Sequence, residues 1–284
     1  MPKTVEIIRN RQRAWAANRG IATDARGYTV SLGSNLYSPL LPETRMALES
    51  ARSRELRDTA GQGRMRALDS SSALLVNFFE YWLNGGVQEI ASMCGAAHPM
   101  TAMRFLPVYS SPLGDNSPRA HIDLEFTGTG PPLMVLSRFT ETYFRFNNRT
   151  FGEPHLMDPP LWTELPRCGS LARQIGREDS VRASYAYLDA PRLLKHIVGL
   201  SSKCGVKGFQ LLYLWYDFPS GEAERHREEI SRFTDLVQDE VLFMPKTYQE
   251  IFDTMRLHPG VNPKYVSYLY ERYFLKSEER SLLC

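Results

Sequence analysis

HIDLEFTGTGPPLMVLSRF, residues 121–139, decides how this chain is read. His121 to Phe126 alternates apolar and polar side chains, as a strand buried on one face does. Thr127-Gly128-Thr129-Gly130 is turn sequence of hairpin grade, and Leu133 to Phe139 is a second, more apolar strand. The spacing therefore predicts a strand–turn–strand unit that sets Asp123 beside the second strand.

Working outward, Met103–Tyr109 reads as a further strand, with Pro107 marking an edge or a bulge. Residues 110–119, rich in Ser, Pro, Gly, Asp and Asn, read as a loop. Upstream, a helix is expected over 4–18, a second from Pro42 to about Asp58, and a third carrying Leu74, Leu75, Phe78, Phe79 and Trp82 behind the capping residues 69–72. Thr59–Arg66 between them reads as a Gly-punctuated basic loop. A short helix follows Asn84-Gly85-Gly86 and ends near Cys94. Downstream, helices are expected over 190–202 and 223–237. FQLLYLWYDF (209–218) is a continuous apolar run typical of a strand buried on both faces. Val241–Phe243 reads as a short strand, followed by helices near 248–255 and 264–275. Strands interleaved with helices, one pair joined as a hairpin, predict an α/β protein with a mixed central sheet flanked by helices.

The chain has 284 residues, 43% of them hydrophobic and 23% charged, which supplies a core and excludes a disordered chain. A net charge of +2 neither announces nor excludes a nucleic-acid partner. Cys94, Cys168, Cys204 and Cys284 are scattered, so no zinc pattern exists. They are expected to be free thiols in a reducing compartment. No secretory leader or long apolar run is read, so a cytoplasmic protein without a membrane association is expected. The motifs GxSxG, GxxxxGK[ST] and GxGxxG are absent, which removes the common hydrolase, NTPase and dinucleotide-binding classes. The histidines show no zinc spacing.

HIDLEF (121–126) and VLSRFTETY (135–143) together resemble the catalytic hairpin of a bacterial PD-(D/E)XK restriction-endonuclease-like family, whose second strand reads approximately I-E-S-K-F-T-E-P-Y. LDSSSALLVNFF (68–79), LLKHIVGL (193–200), LLYLWYD (211–217) and TYQEIF (247–252) fit the same family in the same order. The resemblance implies a single domain with a restriction-endonuclease-like core over 61–284 and an N-terminal helical extension over 1–60, with helical additions at both ends. It implies metal-dependent hydrolysis of DNA with Mg²⁺ or Mn²⁺, and a homodimer is an open expectation.

Carried over by position, Asp123 matches the metal-binding aspartate and Glu141 the downstream acid. The two central positions depart: the family's glutamate is Leu136 and its lysine is Arg138. Leucine offers no ligand, and arginine keeps the charge but donates protons poorly. Two alternatives remain open. Either Asp123, Glu141 and Glu125 hold the metal with Arg138 on the phosphate, or cleavage is lost and a nucleic-acid-binding or scaffold role persists. Glu80 is a further guess for the missing carboxylate. Candidate phosphate contacts are Lys195, His196, Arg64, Arg66 and Gln210. Each also has an ordinary reading as a solvated loop, a helix face or a core polar group.

Overall fold

The computed structural model describes residues 1–50, 54–57, 62–109, 120–146 and 162–274. The expected 110–119 loop and Cys284 lie outside them. Ten helices are described: α1 (Lys3–Asn18), α2 (Pro42–Ser50), α3 (Ser71–Phe79), α4 (Val87–Cys94), α5 (Pro166–Arg177), α6 (Asp179–Ala183), α7 (Ala190–Cys204), α8 (Gly221–Val237), α9 (Tyr248–Met255) and α10 (Pro263–Tyr273). The strands are β1 (Met100–Phe105), β2 (Val108–Tyr109), β3 (Ala120–His121), β4 (Leu124–Gly128), β5 (Leu133–Arg138), β6 (Gln210–Trp215) and β7 (Leu242–Thr247).

Five strands form one mixed sheet in the order β1-β4-β5-β6-β7. The hairpin read from the sequence is its hinge. β1, β4 and β5 run antiparallel, whereas β6 and β7 run parallel to β5. Parallel neighbours need a crossover that returns the chain to the same end of the sheet. α7 lies in the one between β5 and β6, and α8 in the one between β6 and β7. β5 and β6 are buried at all six positions, as expected of central strands covered on both faces. Phe126 packs on Phe79 of α3, and Ser137 bonds Tyr248 of α9, on one face. Tyr213 and Trp215 meet His226 of α8 on the other. β7 closes the sheet with an edge strand carrying Pro245 and Lys246, residues that discourage further pairing.

Two strands read as continuous are each broken in two. Leu106, at a left-handed φ of 50°, precedes Pro107, which has no N–H for a ladder. Opposite it, the chain bends at Ile122 and Asp123, between β3 and β4. The backbone stays bonded through the bend: Leu106 N–H donates to the Asp123 carbonyl at 3.1 Å, and Asp123 N–H donates to the Val135 carbonyl at 3.0 Å. Asp123 therefore sits at the end of β4 rather than within it.

The helix starts follow from short-range chemistry. The hydroxyls of Ser70 and Ser220 and the carboxylate of Asp189 each accept from a first-turn N–H of α3, α8 and α7. Thr247 and Glu250 form a reciprocal capping box on α9. α10 packs on α1, with Trp15 and Tyr268 edge to face at 5.8 Å. Tyr265, Tyr268 and Tyr273 of α10 are buried in this packing. Among the described residues, no helix is long and apolar enough to cross a membrane. Cys94, Cys168 and Cys204 are unbridged.

Candidate active site

Where β4 begins and β5 ends, a cavity of about 260 Å³ opens between the sheet, α3 and the start of α7. The bend at Asp123 aims its carboxylate into this space. Ser137 N–H donates to Asp123 Oδ2 at 2.7 Å, and Arg138 Nη1 donates to the same oxygen at 3.2 Å. Arg138 Nη1 also donates to the Ser137 carbonyl at 2.5 Å. Burial opposes the Arg138 charge, but Asp123, Tyr213, Glu141 and Asp189 outweigh it, so its proton is held more tightly than usual.

Glu141 follows β5 in a single 3₁₀ turn (Glu141–Tyr143) and turns back onto the strand end. Its Oε2 accepts from Phe139 N–H at 2.8 Å, and its Oε1 accepts from the Ser71 hydroxyl at 2.5 Å. The serines read as helix caps therefore divide their work. Ser70 caps α3, while Ser71 and Ser72 face the carboxylates.

A third carboxylate enters from outside the sheet. Glu55 lines the same cavity and accepts a hydrogen bond from Ser72. Burial pushes its carboxyl above the usual range, and the Asp123 and Glu141 charges push it further. The Ser72 bond and Arg64 act in the opposite direction. The segment carrying it is pinned by two backbone bonds, Arg64 N–H to the Arg54 carbonyl at 3.0 Å and Met65 N–H to the Glu55 carbonyl at 3.0 Å. Gly63 makes this approach possible, because a Cβ there would collide with the carbonyls of Glu55 and Leu56.

Arg64, Arg192 and Asp189 complete the polar wall. The cavity thus gathers Asp123, Glu141, Glu55 and Asp189 against Arg138, Arg64 and Arg192. Carboxylate oxygens are the donors that hard divalent cations take, so the donor set fits Mg²⁺ or Mn²⁺ in kind. It is not drawn together in advance: among the described residues, no group of His, Cys, Asp and Glu side chains forms a metal-holding cluster.

The structure separates the remaining sequence candidates. Leu136 is fully buried beside Tyr213 and does not line the cavity. Glu125 cannot supply the missing carboxylate, because its oxygens accept from Arg104 Nε and the Tyr109 hydroxyl further along β4. Glu80 is corrected likewise. It is buried below α3, where it accepts from Leu41 N–H at 2.9 Å. Arg66 donates to the Thr29 carbonyl, a loop-fastening role. Gln210 holds Ala97 N–H at 2.9 Å, away from the cavity. His196 is buried on α7, and burial followed by the nearby Arg192 and Arg138 charges holds its pKa well below the usual value. It is therefore a neutral core histidine at neutral pH rather than a phosphate contact. Lys195 is half-buried on the same helix and does not line the cavity. Glu55 escapes a reading of the sequence because its segment is expected to belong to the helix starting at Pro42, whereas α2 ends at Ser50 and residues 54–57 are not helical. The Gly61-Gln62-Gly63-Arg64 run is the available signal, since a glycine beside an arginine can mark a close backbone approach.

No family model, no curated protein and no solved structure matches this chain.

Proposed function

We propose that this chain is a metal-dependent nuclease built on a restriction-endonuclease-like core. Asp123, Glu141 and Glu55 hold Mg²⁺ or Mn²⁺, and Arg138 neutralises the phosphate of DNA. One observation carries the reading: Glu55 meets Asp123 and Glu141 in one cavity, supplying an acid where Leu136 supplies none. The strand order agrees with such a core, since a helix precedes three antiparallel strands and a crossover helix leads to a parallel fourth. The metal would supply positive charge to the scissile phosphate. This chain's own part is to line one cavity with three acids, and burial first, then the Asp123 and Glu141 charges, raise the Glu55 pKa. Arg138 would leave Asp123 for the phosphate when a cation takes over the carboxylate.

A second reading, a DNA-binding protein of the same fold without cleavage, is favoured by a different observation. Asp123 already has a cation partner in Arg138, and no preformed metal cluster exists among the described residues.

Plasmid nicking with Mg²⁺ or Mn²⁺ decides between them. The parent chain is expected to nick supercoiled DNA, and Asp123→Ala and Glu55→Gln are each expected to abolish nicking. A silent parent together with an active Leu136→Glu/Arg138→Lys chain would establish the second reading. Silence from every variant would remove the nuclease assignment.

A further inference from the structure

Behind the carboxylate cavity lies a separate groove of about 650 Å³, formed by α6, α8 and residues 184–187. Four arginines line it: Arg145, Arg182, Arg225 and Arg232. The three acids in its wall do not cancel them equally. Asp179 pairs with Arg182 at 3.1 Å. Glu229 is turned inward, accepting from the backbone N–H groups of Ala186, Tyr187 and Leu188 at 3.0, 2.8 and 2.6 Å. Only Glu228 remains as an exposed acid of that wall outside these contacts.

Two of the guanidiniums are held in place by neutral groups. Arg145 lies 5.8 Å over the Tyr187 ring and donates to its hydroxyl at 3.3 Å. Arg232 lies 5.7 Å over the Tyr185 ring and donates to the Ser184 carbonyl at 2.8 Å. Neutral partners leave the Arg145 charge uncompensated, Arg232 is offset in part by Glu229, and fixing long side chains beforehand lowers the entropic cost of binding. The groove and the cavity share a wall. Arg145 and Ala186 face the groove, Phe146 and Asp189 face the cavity, and Phe146 N–H donates to the Ala186 carbonyl at 2.7 Å.

We propose that this arginine groove binds the sugar–phosphate backbone of the nucleic acid that reaches the carboxylate cavity. The inference rests on reading the cavity as a phosphodiester site. Guanidiniums pair with phosphate oxygens in a forked geometry, and such pairs carry affinity without sequence preference.

The test is fluorescence anisotropy of a labelled DNA duplex with the full chain in EDTA, titrated over a range of salt, so that cleavage plays no part. Arg145→Ala/Arg225→Ala is expected to bind about tenfold more weakly and to flatten the slope of log affinity against log salt by about two, roughly one unit for each phosphate no longer neutralised. Arg145→Lys/Arg225→Lys is expected to keep the parent slope, which separates removal of charge from damage to the fold. Arg256→Ala, an exposed arginine elsewhere, is expected to change nothing. An alanine double variant with unchanged affinity and slope would overturn the groove. Competition by poly-glutamate as strong as by DNA of equal charge would overturn its nucleic-acid assignment. Salt-dependent binding by an Asp123→Ala chain that leaves plasmid uncut supports the groove whatever becomes of hydrolysis. A parent that nicks plasmid while the double variant binds normally would leave the cavity reading intact and remove the groove.

Discussion

Two buried arginines, Arg272 and Arg138, differ in what surrounds them. Arg272 joins α10 to the N-terminal segment entirely through neutral acceptors. Its Nε donates to Gln12 at 3.2 Å, Nη1 to the Asn35 carbonyl and the Tyr268 hydroxyl at 2.7 Å each, and Nη2 to Asn35 Oδ1 at 2.5 Å. The Trp15 and Tyr273 rings lie 4.3 and 4.8 Å from it. Arg138 instead directs one nitrogen to a carboxylate and to a neighbouring carbonyl, at the wall of a cavity containing three more acids. A cation satisfied by fixed neutral dipoles is a fastening. One balanced against a movable carboxylate can exchange that partner for an incoming anion.

The contrast can be broken most decisively at Arg272. Arg272→Met strands several buried acceptors at once and is expected to cost about 3–5 kcal/mol in urea denaturation. Arg138→Met leaves Asp123 with the Ser137 N–H and partial access to solvent, so about 1–2 kcal/mol is expected. Its main effect should be loss of plasmid nicking. Equal stability losses in the two variants would erase the distinction between fastening and exchangeable cation.

The smallest effect sharpens the acid side of the comparison. The fold raises the Glu55 pKa, so the stability this group contributes is complete below its unfolded value of about 4.5 and is lost as pH rises through the folded value. Glu55→Gln should therefore raise the thermal midpoint at pH 7 by about 1–2 °C in the absence of metal. It should also remove any stabilisation by Mg²⁺. A variant less stable than its parent at neutral pH would show that burial and the neighbouring acids do not penalise the Glu55 carboxylate.

The sheet is legible in the sequence because its central elements are written locally. The apolar run at 209–218 contains β6, the turn expected at 127–130 joins β4 to β5 although β4 extends into it, and Ser70 caps the helix it was expected to cap, whereas the alternating stretch 121–126 is split by the bend at Ile122 and Asp123. β7 runs to Thr247, beyond the Val241–Phe243 strand expected, because pairing with β6 rather than hydrophobicity defines it. α5 and α6 are not among the expected helices; Pro166 at the first turn of α5 is the available signal. Within the site, Asp123, Arg138 and Glu141 belong to one hairpin and its continuation, and they do meet in one cavity. Glu55 is not legible, since it arrives through backbone bonds between Arg54, Glu55, Arg64 and Met65 that no single-segment pattern encodes. Arg64, a candidate from its basic loop, does line the cavity, whereas Arg192 and Asp189 join Glu55 for the same tertiary reason.

Gly63 gives that arrangement an unusual dependence. The residue carries no functional group and titrates nothing, yet the clearance it leaves is what lets the Glu55 segment lie against its own return. The acid content of the cavity is therefore set partly by an empty volume. A single methyl group there would edit the chemistry of the site while leaving every charged residue in the sequence unchanged.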